Sequence, residues 1–448
     1  MAQQAASAWK KDRGEHMVGK IATSMESRGS QWRSAGQELH HITLGPGAAV
    51  EAEWLIAGLE LPNLPAMRSY RIGRVRAQLL EMGYDGAILR DPMNIRYATD
   101  STNMQLWVMH NPSRYAWVGV DGSVILWEFA DCEFLSGHNP IVQEVRPAIS
   151  SYYFLAGPRY REKARQWTDE ILDVLREHAG PRPRIALDTA RPLEVQHLLE
   201  AGVTVEDGTE VMELARSIKG PDEIRAMRCA LAACETTMGE MRQAMKPGMT
   251  ERELWSLLHA GNIRRGGEWI ETQILASGPR TNPWMQEASS RVIHEGELLG
   301  YDTDLVGSYG MMCDISRTWV VGDARPTGAQ RSVFGLAQEQ IERNHRLLTP
   351  GRSFREVCEA TWMPPVEDYR HYCVGFHGVG QCDEYPEIVL PHQWEAVGYD
   401  GVLQEGMVLT TEAYVGSRLG GEGVKLEEQY LITATGPERL SNYPLGLI

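Results

Sequence analysis

The sequence predicts an α+β protein of two dissimilar domains behind an N-terminal extension. Three observations carry that reading: 448 residues exceed one typical domain, the first half alternates strand, helix and hairpin signals, and the second half twice sets helices before a run of glycine-punctuated strands. The extension is expected over residues 1–55, a mixed α/β domain over 56–212 and a second domain over 213–448. Apolar residues make up 43% and charged residues 23%, which suits a soluble chain able to bury a large core. A net charge of -16 argues against nucleic acid and anionic membrane as partners. Seven cysteines, an odd number without a Cys-x-x-Cys pair, argue against a disulfide framework or a cysteine zinc site. With neither a basic-then-apolar leader pattern nor an apolar stretch of membrane-spanning length, a cytoplasmic location is expected.

Taken in order, residues up to Leu55 are polar and patternless, with Gly45-Pro46-Gly47 as a breaker. Ile72, Val75, Leu79 and Met82 then mark a helix ending at Gly83, and Gly86 to Leu89 a short apolar strand. Tyr115 to Val120 and Val124 to Phe129 flank Asp121-Gly122, which predicts a hairpin. Ala164, Trp167, Ile171, Leu172 and Leu175 mark a second helix, and Ile185 to Leu187 a further strand. Beyond Gly220, Pro221 suits a first helical turn, and Ile224, Met227, Leu231, Cys234, Met238, Met241 and Met245 recur at three- and four-residue steps. That long helix carries a methionine-rich stripe, which reads as core. Thr250-Glu251-Arg252-Glu253 opens the next helix as a capping box. Later helices are expected over about Ala329 to Leu347 and from Ser353, with strands again from Tyr372.

Chemistry first shows between Tyr301 and Thr318. Asp302 and Asp304 are two apart and would share one face of a strand; a turn around Gly307 to Gly310 would return Asp314 beside them. Like charges so placed repel unless a cation sits between them, so a metal site and an acidic edge hairpin in water stand level on this segment alone. Downstream, His377 is flanked by glycines, and Glu412 and Glu427 each close an apolar, strand-like run, where a buried carboxylate is costly without a partner. Each alone reads as structural or superficial; the ensemble favours metal.

The residues resemble a known family. Asp314-Ile315-Ser316-Arg317-Thr318, His377-Gly378-Val379-Gly380, Glu405 to Glu412 and Gly423-Val424-Lys425-Leu426-Glu427-Glu428 are similar to the metal-site segments of the pita-bread enzymes: methionine aminopeptidase, prolidase and creatinase. Arg216-Ser217-Ile218-Lys219 and Lys246 to Glu251 extend the likeness across residues 213–440, and Asn94-Ile95-Arg96-Tyr97 carries a fainter one in the first half. The resemblance implies a two-domain creatinase/prolidase-like chain with a C-terminal pita-bread metal-binding domain, and a dinuclear site whose ligands are Asp302, Asp314, His377, Glu412 and Glu427. Asp304 is a further carboxylate beyond that pattern.

Departures from the peptidases narrow the reading. The segment Ser277-Gly278-Pro279-Arg280-Thr281-Asn282-Pro283-Trp284 lacks the histidine that peptidases carry there, and Asp383 stands where they have another. A carboxylate accepts a proton but cannot donate one as imidazolium does. These departures are similar to one branch of the fold, the DddP-type dimethylsulfoniopropionate lyases, which release dimethyl sulfide and acrylate. That likeness implies Asp383 as base in a β-elimination, two divalent or trivalent transition-metal ions, iron ahead of manganese, cobalt or zinc, and a small zwitterionic substrate. A methylated sulfonium suits an aromatic cage, for which Tyr372 and, less directly, Trp107 are the candidates. A homodimer is expected from the same likeness. The rival readings are an Xaa-Pro dipeptidase, aminopeptidase or creatinase-like hydrolase, and a binding protein without catalysis.

Overall fold

The computed structural model describes residues 45–137 and 139–447. They fall into two compact units: residues 68–215 form one, and residues 45–67 join residues from 216 onward in the other. Most of the expected extension, residues 1–44, lies outside the described residues.

The smaller unit is built on a six-stranded sheet of β1 (Gly86–Leu89), β2 (Tyr115–Gly119), β3 (Val124–Glu128), β4 (Glu144–Pro147), β5 (Arg184–Leu187) and β6 (Thr204–Asp207), in the order β4-β3-β2-β1-β5-β6. β1 to β3 are buried at every position, so they read as continuous apolar runs and not as alternations. Ile72, Val75 and Leu79 pack in one cluster with this sheet, and Trp167, Ile171 and Leu175 of the helix Tyr160–His178 pack in another. The predicted hairpin joins β2 to β3, and Gly122 takes φ 101°, a conformation open to glycine without strain. Asn94 to Tyr97 lie in the helix Pro92–Thr99, whose Asp91 cap accepts the Met93 amide at 2.7 Å.

In the larger unit the helix Pro221–Ala244 buries Met227, Leu231, Cys234, Met238 and Met241 in the main core, against Leu254 and Leu258 of the helix Glu251–Arg264. The capping box forms as expected, with the Thr250 amide on the Glu253 carboxylate at 2.7 Å and the Glu253 amide on Thr250 Oγ1 at 3.2 Å. Six short strands follow, β7 (Trp269–Ile270), β8 (Leu275–Ser277), β9 (Leu298–Tyr301), β10 (Leu305–Val306), β11 (Met312–Cys313) and β12 (Arg317–Val320), in two sheets ordered β11-β10-β7 and β12-β9-β8. The last sheet holds β13 (Tyr369–Arg370), β14 (Val374–Val379), β15 (Asp383–Val389), β16 (Val408–Ser417), β17 (Gly423–Thr433) and β18 (Gly436–Arg439), in the order β15-β14-β16-β17-β18 with β13 on β16. Its long central pair runs in unbroken antiparallel register from Val408 opposite Leu431 to Gly416 opposite Gly423. The helix Gly328–Asn344 covers one face, where Val333, Ala337 and Ile341 meet Ala413, Val415, Val424 and Leu426. Among the described residues no helix is long and apolar enough to cross a membrane.

Candidate metal centre

The other face of β16 and β17 is polar by alternation. Thr410, Glu412 and Tyr414 stand opposite Gln429, Glu427 and Lys425. Two glutamates directly across a ladder repel, so this pair is stable only beside positive charge. Lys425 supplies part of it. Its Nζ lies 2.9 Å from Asp302 Oδ2, 2.7 Å from Glu412 Oε2 and 2.9 Å from Glu427 Oε2, and donates to Ser316 Oγ at 2.7 Å.

The aspartate hairpin brings in three more carboxylates. Tyr301 pairs with Arg317 and Leu305 with Cys313, which leaves Asp302 to Asp304 facing Asp314 to Ser316 between the two ladders. Oxygens of Asp302, Asp304 and Asp314 come within 4.8 Å of one another. They meet by a different route from the expected one. Asp304 takes φ 35°, so the strand breaks there and a turn, not the pleat, brings its carboxylate round. Thr303 Oγ1 ties the crossing by donating to Cys313 O at 2.9 Å and accepting the Ile315 amide at 3.0 Å, and Thr272 Oγ1 donates to Asp304 Oδ2.

His377 comes from β14. The next residue, Gly378, has no room for a Cβ, which would lie 2.5 Å from the carbonyl oxygens of Glu384 and Tyr385; this close approach seats the imidazole over the cage. Its Nε2 is 3.2 Å from Glu412 Oε1 and 3.4 Å from both Glu427 Oε1 and Asp314 Oδ2. Its Nδ1 faces the Gly378 carbonyl at 3.2 Å and Asp383 Oδ1 at 3.5 Å. Asp383 opens β15 with its side chain 58% exposed, beside an otherwise buried cage.

The neighbouring Glu384 points inward and anchors the hairpin. Arg216 Nε donates to its Oε2 at 2.9 Å and Lys219 Nζ lies 2.5 Å from its Oε1, all three side chains being buried. Glu384→Gln leaves two buried cations short of their carboxylate. The expected cost is about 3–5 kcal/mol, read as an earlier urea transition of the larger unit; an unchanged midpoint would show that the hairpin is held by something else.

Charge is out of balance in this cage. Burial first, and then neighbouring carboxylates, push Asp304 and Asp314 well above the usual range and Glu412 up to about 8. Burial also raises Asp302, against the pull of Lys425. Glu427 goes the other way: burial opposes ionisation, but Lys425 and His377 together hold its carboxyl well below the usual range. His377 is raised well above its ordinary value, since Asp383, Glu412 and Glu427 outweigh the effect of burial. Five buried carboxylates against the Lys425 ammonium leave four negative charges unmatched when all are ionised and His377 is neutral, the form in which an imidazole binds metal. Asp314 Oδ1, fully enclosed, has no hydrogen-bond partner among the described residues. Hard oxygen donors, one imidazole nitrogen and an unsatisfied buried oxygen fit a bound metal cation.

Of the residues expected from sequence, Asp302, Asp304, Asp314, His377, Glu412, Glu427 and Asp383 come together here. Tyr372 adjoins them, its ring centroid 5.2 Å from Lys425 Nζ. Trp107 lies in the smaller unit on the helix Gln105–His110, edge-on to Phe129 and Phe154. Lys425, Ser316 and Gln429, whose Oε1 accepts the Asp314 amide at 3.1 Å, were not anticipated as site residues. For Lys425 and Gln429 the signal was present, since each is two residues from Glu427 on one strand.

Residues 225–434 match the model of metallopeptidase family M24. Over 412 residues the chain is 44% identical to the dimethylsulfoniopropionate lyase DddP of Roseovarius nubinhibens, covering 90% of this chain and 92% of that one. The protein of the same name from Roseobacter denitrificans is 42% identical over 414 residues, 91% and 92% of the two chains. Among solved structures, the Xaa-Pro dipeptidase from Bacillus anthracis superposes with a TM-score of 0.69 at 21% identity, over 84% of this chain and 98% of that one, which speaks for the fold alone.

Proposed function

Because the chain belongs to the family of the dimethylsulfoniopropionate lyases DddP, enzymes that cleave a carbon–sulfur bond, we propose that it cleaves dimethylsulfoniopropionate to dimethyl sulfide and acrylate by metal-assisted β-elimination. Asp302, Asp304, Asp314, His377, Glu412 and Glu427 are the residues that would hold two ions, and the four unmatched negative charges of the cage equal the charge of two divalent cations. Bound there, such ions, iron ahead of manganese, cobalt or zinc, would supply positive charge to the substrate carboxylate as negative charge gathers on it.

The observation that carries elimination over hydrolysis is Asp383: a half-exposed carboxylate at the edge of a buried cage, 3.5 Å from His377, with no second histidine in the clusters formed by the described residues. In this reading Asp383 takes the proton from the carbon next to the substrate carboxylate. The electron pair of that C–H bond becomes the new C=C bond, the C–S bond breaks, and dimethyl sulfide leaves neutral without needing an acid. His377 keeps its Nδ1 toward Asp383 and the Gly378 carbonyl, which fixes the ring with Nε2 aimed at the carboxylates. Lys425 and Ser316 hold Asp302, Glu412 and Glu427 in position. Tyr372 is the ring assigned to the sulfonium, and Trp107 is kept as a second candidate. A cytoplasmic homodimer belongs to the same reading.

Offering the purified protein dimethylsulfoniopropionate, with headspace dimethyl sulfide measured beside hydrolysis of an Xaa-Pro dipeptide, tests this directly. Sulfide release without peptide turnover is expected; peptide turnover alone would sink the elimination.

A further inference from the structure

Within the larger unit a cavity of about 770 Å³ is bordered by Trp284, Tyr372 and Tyr414. Trp284 and Tyr414 form, with Ile274, a small apolar cluster of their own against which Tyr372 packs. Their rings stack with centroids 6.0 Å apart at 27°. This frame is fixed. Tyr414 Oη donates to Thr281 O at 3.0 Å and meets Asn282 Oδ1 at 3.1 Å, while Asn282 Nδ2 donates to Ser417 O at 2.9 Å.

Two of these rings also border the carboxylate cage, for Lys425 Nζ stands 5.2 Å from the centroid of Tyr372 and 5.7 Å from that of Trp284. Lys425 itself is matched by three carboxylates, so its charge is already answered. None of the cage carboxylates lines the cavity, but Tyr372 and Trp284 belong to both surroundings, so a ligand with its anionic end in the cage would meet these two rings on the cavity side. A methylated onium group has no N–H or O–H to give to a carboxylate such as Glu367 on the cavity wall, and a fixed aromatic face suits it, tryptophan more than any other side chain.

Resting on the substrate reading above, we propose that Trp284 determines specificity, its indole forming with Tyr372 the wall that selects a methylated cation over an uncharged group of equal shape. The test uses two ligands of the same outline, 3-(trimethylammonio)propionate and 4,4-dimethylpentanoate, titrated calorimetrically into the metal-loaded wild type, Trp284→Leu and Trp284→Phe. The wild type is expected to bind the trimethylammonio ligand about tenfold more tightly than its tert-butyl isostere, with Trp284→Leu bringing that ratio close to one and Trp284→Phe keeping part of it. A role in packing alone would weaken both ligands together and leave the ratio where it was, which overturns the assignment. So would a wild type that prefers the tert-butyl ligand, the result expected if Arg370 and Arg418 on the cavity wall set its character and repel the onium group. Failure of the substrate reading shows separately, as a wild type that releases no dimethyl sulfide.

Discussion

His377→Ala releases no dimethyl sulfide above background and retains fewer metal equivalents than the wild type. This expected result follows from geometry, because among the described residues His377 supplies the one imidazole nitrogen of the clusters that could hold a metal, and its Nε2 faces oxygens of Glu412, Glu427 and Asp314 at 3.2–3.4 Å. Elemental analysis of the dialysed protein, run beside headspace measurement, reads both losses. Full metal content with no activity would remove His377 from the ligand set and leave it a positioning role. Stripping the wild type with a chelator gives the same loss reversibly. Re-uptake also carries a sign: burial and neighbouring carboxylates raise Glu412 to about 8 and put Asp304 and Asp314 well above the ordinary range, so entering metal displaces protons. Apparent affinity therefore rises between pH 6 and pH 8. A flat profile would mean that the carboxylates are already ionised without metal.

Asp383→Asn is the second large effect. The amide keeps a polar contact toward His377 Nδ1 but cannot take a proton at neutral pH, so kcat falls by roughly 10²- to 10⁴-fold while metal content stays near wild type. Asp383→Ala should lose as much. The pair is informative because oxygens of Asp383 also group with Asp314 and His377 within 4.8 Å. Were both variants to lose metal, Asp383 would be a ligand and the base would have to be sought elsewhere; were the asparagine variant alone to stay active, its part would be to orient the imidazole.

Strand periodicity explains most of what the sequence made visible. Glu412 and Glu427 lie in long strands whose alternation is regular, so an apolar run ending in a carboxylate located both, and the face they share follows from the ladder. His377 was visible through its glycines, which mark a place where two strands close tightly. Asp304 shows the limit: the two-residue spacing suggested pleating, whereas a left-handed backbone delivers the side chain, and nothing in the residue type announces that. Lys425 and Gln429 share the strand face of Glu427, but a lone lysine or glutamine in a strand carries no metal-ligand signature of its own. Trp284 had no local signal at all, since its neighbours Tyr414 and Lys425 lie more than a hundred residues on in sequence and meet it only once the sheet has formed.

The adjacency of Asp383 and Glu384 bears on how such a centre can change its reaction over generations. At the head of β15 the pleat sends the first outward to the cage and the second inward to Arg216 and Lys219. Chemistry and architecture are thereby separated by one peptide unit. Drift at position 383 can exchange one proton-handling group for another without disturbing the tether, whereas drift at 384 is penalised whatever reaction is catalysed. A lineage built this way can explore new substrates through single substitutions on one side of a hairpin whose other side stays under constant selection.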